Sequence, residues 1–318
     1  MARDTNNPNK YQRSDPLNPK KRGRPSKKAA ENENGDGVFQ VFDDKRGDAL
    51  IIEQVTERFE GLKMYAEDIA LGKLPALIIS GAAGVGKTFT LMEILEKMHG
   101  EGKVVFKRTA GYVSTIEMYR ILFEHRHEGN VVMFDDTDNV FYDDNSLNIL
   151  KAACDSIPVR TVSYRTKSTV EVTEDDDLDN WDVEEQGLPS EFEFKGTCVF
   201  VTNIDFHAYL AGPRTRVTPH IEALLNRAKY LDMCLHAPRA VALWIQYMIT
   251  TQHILEKPVH GLTREQAVEV LSFIVDNYKQ IHKPSLRTAV KLAKDVKNHP
   301  DRWVMLAKMT ELKPVVIK

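Results

Sequence analysis

Gly81 to Thr88 read G-A-A-G-V-G-K-T, a residue pattern built for gripping phosphates. Glycines at 81, 84 and 86 let backbone N–H groups turn inward around phosphate oxygens. A helix opening at the loop adds its positive dipole end. Lys87 is spaced to reach the β- and γ-phosphates, and the Thr88 hydroxyl to bind Mg2+. The cofactor-binding candidates are therefore Gly81, Ala82, Ala83, Gly84, Val85, Gly86, Lys87 and Thr88. Such a loop needs a carboxylate at the end of a neighbouring strand. Val131-Val132-Met133-Phe134-Asp135-Asp136 supplies one, 48 residues after Lys87. Its four apolar residues read as a buried parallel strand. Asp135 is the expected metal ligand beside Thr88. Asp136 is placed to orient or deprotonate an attacking water, with Asp138 as the alternative. A further strand, Cys198-Val199-Phe200-Val201, ends in Thr202-Asn203. Asn203 there is placed to hydrogen-bond the water or the γ-phosphate.

The elements that must hold these residues follow from periodicity. Ile52, Val55, Phe59, Leu62, Tyr65 and Ile69 have helical spacing over 49–70, and Gly72 ends that helix. Ala76–Ser80 reads as a buried strand running into the glycine loop, and Thr88–Met98 as the helix that follows. A strand at 103–107, a helix near 114–126 and the strand at 131–134 continue the alternation. Alternating strands and helices imply a parallel sheet with helices on its faces. From Ala237 onward only helical periodicity remains, at 239–255, 263–281, 285–297 and 301–311. The expected fold class is thus α/β, a parallel sheet flanked by helices over 38–236, followed by a small all-α domain over 237–318.

Charge is unevenly distributed. The first 28 residues carry nine Lys or Arg and two acids, although the whole chain has a formal net charge of −3. Residues 1–37 have almost no large apolar side chains and read as a disordered basic tail. Residues 174–187 carry eight acids and read as a solvated loop. With extended flanks, 159–195 is expected to be a β-hairpin insertion with an acidic tip. Cys154, Cys198 and Cys234 form no CxxC pair, which fits neither a disulfide framework nor a zinc site. No apolar run approaches the ~18 residues of a membrane span, and no secretory h-region opens the chain. A cytoplasmic location is expected (the host cytoplasm for a viral protein), with nuclear targeting by the basic tail left open.

At this point the chain resembles the AAA+ ATPase family over about 40–300. GAAGVGKT is similar to its Walker A, VVMFDD to its Walker B and VFVTN to its sensor 1 strand. Ala223–Met233 resembles the arginine-finger region, which implies that Arg227 reaches a neighbouring subunit's γ-phosphate. Arg214 and Arg216 compete for that role. Pro284–Val290 resembles the start of the sensor 2 helix in the lid, which implies that Arg287 touches phosphates in cis. The resemblance further implies ATP as the nucleotide, Mg2+ as the metal and a homo-oligomeric ring, with a hexamer among its forms. Most members end Walker B in Asp-Glu. This chain has Asp-Asp, as bacterial replication initiators of the family do, which suits slow hydrolysis. The core is also similar to small AAA+ ATPases of tailed bacteriophages.

Two segments bear on partners. Arg22-Gly23-Arg24-Pro25 lies in a basic run and resembles an AT-hook. Gly23 lets the backbone lie deep in a groove, Pro25 keeps it extended, and Arg22 and Arg24 suit the narrow minor groove of A·T-rich duplex. Plain charge and a nuclear import signal remain open. Gly111-Tyr112-Val113 resembles the Gly-aromatic-apolar pore loop of unfoldases. Tyr112 either packs at the start of the next helix or contacts a threaded polymer, and Lys107 and Arg108 favour an anionic one. The expected function is a DNA-associated AAA+ ATPase in replication initiation, helicase loading or a related transaction. A protein remodeller and a slow assembly switch are the alternatives.

Overall fold

A computed structural model describes residues 45–314 except 158 and 236. The chain separates into Met1–Gln40 and Val41–Lys318, and every described residue lies in the second unit. The AT-hook-like Arg22–Pro25, the expected disordered tail over 1–37 and the first residues of the expected α/β region, 38–44, lie outside the described residues.

Five strands form one parallel sheet: β1 (Ala76–Ser80), β2 (Val105–Ala110), β3 (Asn130–Asp135), β8 (Thr197–Thr202) and β9 (Lys229–Asp232). Their order is β2-β3-β8-β1-β9. Alternation along each strand divides the core in two. Leu77, Ile79, Val131, Met133, Val199 and Val201 face one side, against α1 (Lys45–Ala70) and α2 (Lys87–Gly100). Ala76, Ile78, Val132, Phe134, Cys198 and Phe200 face the other, toward α3 (Thr115–Glu124), α4 (Asp144–Ala153) and α7 (Thr218–Arg227). Phe134 and Phe200 stack across adjacent strands at 5.2 Å, and Phe141 closes on Phe200 at 5.8 Å. The central strands are apolar on both faces because helices cover both.

β8 lies between β1 and β3, with Ser80 opposite Thr202 and Asp135 opposite Val201. The C-terminal ends of three strands therefore finish side by side. This wedge brings the Asn203 turn between the glycine loop and the Asp135-Asp136 pair.

The insertion is more than a hairpin. β4 (Thr161–Ser163) and β7 (Glu191–Glu193) pair antiparallel, but β5 (Thr169–Val170) and β6 (Leu188–Pro189) pair in parallel. Between them lie a 3-10 turn at Leu178–Asn180 and α5 (Val183–Gln186). The acids here do local work that a bare solvated loop would not need. Asp177 accepts from the Asp179 N–H at 3.0 Å and Asp182 from the Glu184 N–H at 2.8 Å, as helix caps. Arg126 anchors the segment. Its guanidinium lies 4.0 Å over the Phe123 ring and donates to the Leu178 carbonyl.

After α6 (Phe206–Ala211), α7 and β9, four helices complete the chain: α8 (Pro238–Thr250), α9 (Arg264–Asn277), α10 (Leu286–Asn298) and α11 (Trp303–Glu311). Thr263 and Gln266 form a capping box that starts α9. Trp244 of α8 stacks on Phe59 of α1 at 4.5 Å, and its indole N–H donates to the Val85 carbonyl at 2.9 Å. The four-helix layer is thus fastened directly to the glycine loop. No helix among the described residues is long and apolar enough to cross a membrane.

Candidate functional site

The glycine loop joins β1 to α2 in the conformation its glycines permit. Gly81 and Gly84 have φ values of 149° and 72°, which side-chain-bearing residues rarely adopt. At Gly84 a Cβ would also lie 2.9 Å from Ser285 Cβ and 3.3 Å from Arg287 Cγ. The α10 start is therefore seated on the loop. The Leu286 N–H donates to the Gly84 carbonyl at 2.8 Å, and Ser285 caps α10 by accepting from the Thr288 N–H. Arg287 is thereby held beside the loop in its own chain.

Lys87 is buried under that loop. Its ammonium donates to the Gly81 carbonyl at 2.6 Å, the Ala82 carbonyl at 2.9 Å and Asn203 Oδ1 at 3.2 Å. Burial pulls its pKa from 10.5 down to about 8. Asp136, Asp135 and Asp138 oppose the drop, while Arg287 adds to it. Asn203 bridges outward, its Nδ2 donating to Asp136 Oδ1 at 2.7 Å. Asp136 is exposed and sits at φ 53°, a left-handed conformation that Asp tolerates better than most residues. Its N–H is fixed to the Val201 carbonyl at 2.9 Å. Asp138 is held by Thr202, whose hydroxyl donates at 2.6 Å. Burial pushes the Asp138 carboxyl above its ordinary range, against the pull of the Thr202 hydrogen bond.

Thr88 Oγ1 donates to Asp135 Oδ1 at 2.9 Å. This puts two oxygen donors side by side, the donor chemistry a hard divalent cation takes when phosphates and water fill its other positions. Among the described residues no cluster of three or more His, Cys, Asp or Glu forms an all-protein metal cage. The residues fit Mg2+ shared with a nucleotide. Sequence reasoning missed the partner of the other Asp135 oxygen. Arg108 donates to Oδ2 through Nε at 3.0 Å and also through Nη2. The basic pair was expected in a loop facing a polymer. Strand β2 instead runs on to Ala110, and alternation turns Arg108 toward Asp135. Nothing in the local pattern marks this, because it depends on the parallel register of Ala110 with Asp135.

The remaining candidates lie apart from this centre. Arg227, at the end of α7, donates to Asp155 Oδ2 at 2.9 Å and to the Ala223 carbonyl at 3.0 Å. Arg214 pairs with Glu222 at 2.9 Å and Arg216 with Asp144 at 3.0 Å. The packing alternative for Tyr112 is excluded, since its side chain is 83% exposed while the adjacent Val113 is buried at 3%. The loop is nevertheless braced. Asn139 Nδ2 donates to the Val113 carbonyl at 2.7 Å, and its Oδ1 accepts from the Val113 N–H at 3.4 Å. Asn139 follows Asp138 directly, so this brace leads from the carboxylate turn to the Tyr112 loop. It too was missed, being an ordinary Asn in an acidic turn.

No protein-family model matches the chain. Among solved structures it is similar to domain III of the Thermotoga maritima replication initiation protein DnaA, with 11% identity, 86% of this chain and 96% of that chain covered, and a TM-score of 0.42. A DNA replication initiation factor covers 80% of this chain and 62% of its own length at 12% identity and a TM-score of 0.34. A Rhizobiales Trip13 covers 85% and 91% at 11% identity and 0.32. The sequence match is firmer: the chain is 34% identical over 282 residues to an uncharacterized 36.7 kDa protein in the nrdC-mobD intergenic region of Enterobacteria phage T4, covering 85% of this chain and 82% of that protein. The chain belongs to the same family as this phage T4 protein.

Proposed function

We propose that the protein is an ATPase of the AAA+ type that works with DNA as a homo-oligomeric ring. One observation carries the reading. A single hydrogen-bonded line runs from buried Lys87 through Asn203 to Asp136, with Thr88 and Asp135 joined beside it. These are the parts that phosphoryl transfer to water needs: a cation for the phosphates, a carboxylate for the water and a polar group aligning the two. Lys87 exchanges its loop carbonyls for β- and γ-phosphate oxygens when nucleotide binds. Asn203 orients Asp136, and Asp136 aligns and deprotonates the water. Thr88 and Asp135 would hold Mg2+, which supplies charge neutralisation at the phosphates. Arg287 contributes in cis from α10. Arg227 is the arginine offered to a neighbouring subunit, and Asp155 holds it in the meantime.

DNA as the partner is supported by the basic tail and its Arg22-Gly23-Arg24-Pro25 segment. The exposed, braced Tyr112 favours a second reading, in which the ring grips a polypeptide. The test is steady-state ATP hydrolysis by the full chain with and without AT-rich duplex across protein concentrations. Turnover that rises with DNA and faster than linearly with protein supports the reading. Turnover that ignores DNA but rises with an unfolded protein, and falls in Tyr112→Ala, moves it to the remodeller.

A further inference from the structure

The four-helix layer carries a charge pattern that the nucleotide site does not use. Residues 283–302 hold six Lys or Arg against two Asp, in a chain whose overall formal charge is negative. On α10, Arg287, Lys291 and Lys294 recur at four- and three-residue steps and so share one face. Lys297 lies one turn on, toward the loop 257–261. A Cβ at Gly261 would sit 3.6 Å from Lys297 Nζ, which places that ammonium at the loop. Lys257, Lys294 and Lys297 are all exposed, and among the described residues none makes a side-chain hydrogen bond or salt bridge. Lys291 is tied to Glu311 at 3.3 Å and is discounted. His260 reports the convergence. Burial lowers its pKa first, and Lys294, Lys257 and Lys297 lower it further.

We propose that this ridge, formed by Lys257, Lys294 and Lys297, binds the phosphate backbone of duplex DNA as a second contact separate from the tail. The composition selects the partner. Lysine is depleted at protein–protein interfaces, where Arg and aromatics dominate. Unpaired ammonium groups suit phosphates, as mobile point charges with three donors each. Lys294 and Lys297 are one turn apart on α10, about 4.5 Å at 1.5 Å per residue, and with Lys257 at the adjoining loop they suit two or three neighbouring phosphates. Arg287 stands at the other end of α10 beside the glycine loop, so DNA on the ridge lies along the helix that senses nucleotide.

The test is the salt dependence of binding to a fluorescent duplex of about 30 base pairs, read by anisotropy. The full chain is compared with Lys257→Ala/Lys294→Ala/Lys297→Ala, each with the native tail and with Arg22→Ala/Arg24→Ala. Each lost phosphate contact lowers the slope of log K against log salt by about 0.9, so the triple variant should lose on the order of 2 to 3 in slope in either tail background. Lys→Arg at all three positions should restore it. A control triple on remote exposed lysines (Lys63, Lys97 and Lys167) should change little. An unchanged slope, or an equal loss in the control, overturns the ridge. Binding of an acidic protein with no change in DNA slope overturns it as well. The ridge rests on the reading that DNA is the partner, but its readout needs no ATP turnover, so its failure leaves the ATPase reading standing, and the far-ultraviolet circular dichroism of the triple variant shows that it folds.

Discussion

Replacing Lys87 by Met should remove a rise in stability between pH 8 and 10.5 and abolish stabilisation by nucleotide. The drop in the Lys87 pKa from 10.5 to about 8 corresponds to about 3 kcal/mol disfavouring the ammonium at neutral pH. Met has similar length and no charge, so it relieves that cost. It also leaves the Gly81 and Ala82 carbonyls and Asn203 Oδ1 without their donor, at about 1–3 kcal/mol for each acceptor that stays buried. At neutral pH the two effects are of similar size and oppose each other, so the pH dependence is the part of the difference that isolates the buried charge. The sign with pH is fixed. Below pH 8 the lysine is charged in both folded and unfolded states and the cost applies in full. Between about 8 and 10.5 the folded state sheds its proton first, and the wild type gains stability relative to the variant. With ATP at 100 times its Kd the wild type gains about 2.7 kcal/mol, and the variant should gain none. Urea denaturation at pH 7 and near pH 10, with and without ATP, reads all of this. A difference between wild type and Lys87→Met that stays the same from pH 7 to pH 10 would refute the cost of the buried charge. Stabilisation of the variant by ATP equal to the wild type would refute the site.

Other expectations are simpler. Arg227→Ala breaks a half-exposed pair with Asp155, so stability should change by no more than about 1 kcal/mol while turnover is lost and ATP binding remains. Mixing Arg227→Ala with Asp136→Asn subunits should restore part of the turnover, and no recovery at any ratio would place the finger elsewhere. Asn139→Ala should keep basal hydrolysis but weaken its response to polymer, because the Val113 backbone loses both brace hydrogen bonds. An unaltered response would show that the brace only shapes the loop. Arg126→Ala should expose 165–187 to limited proteolysis without affecting ATP binding. Unchanged cleavage there would mean that the insertion is anchored by other groups.

The centre of the fold was legible because it is local. A glycine loop between an apolar strand and a helix has one reading, and β1 falls at Ala76–Ser80 as periodicity indicates. What escaped depends on contacts distant in sequence or on polar residues with two uses. Helix α4 was missed because Asp143-Asp144-Asn145 looks like a loop, yet Asp143 is the cap, accepting from the Ser146 N–H at 2.8 Å. Strand β9 was missed because Lys229–Asp232 is only four residues at the sheet edge, beside a stretch noticed for its arginine. β2 begins and ends later than expected, since four of its six residues are exposed and none is fully buried, which leaves little apolar pattern to mark its ends. In the site, the glycine loop, Asp135, Asp136 and Asn203 converge through the placement of β8. The roles of Arg108 and Asn139 carry no sequence signal, because the partner of Arg108 is set by strand register and that of Asn139 by the meeting of the 138–142 turn with the loop after β2.

If ATP is hydrolysed at the Lys87–Asn203–Asp136 line, Asp136 is needed for the chemistry and not for binding. The most direct measurement is phosphate release from ATP by the full-length protein beside Asp136→Asn, with ATP binding to each measured in parallel. Both proteins should bind ATP with similar affinity, and only the wild type should release phosphate. Equal release by both, or no ATP binding by the wild type, would contradict it.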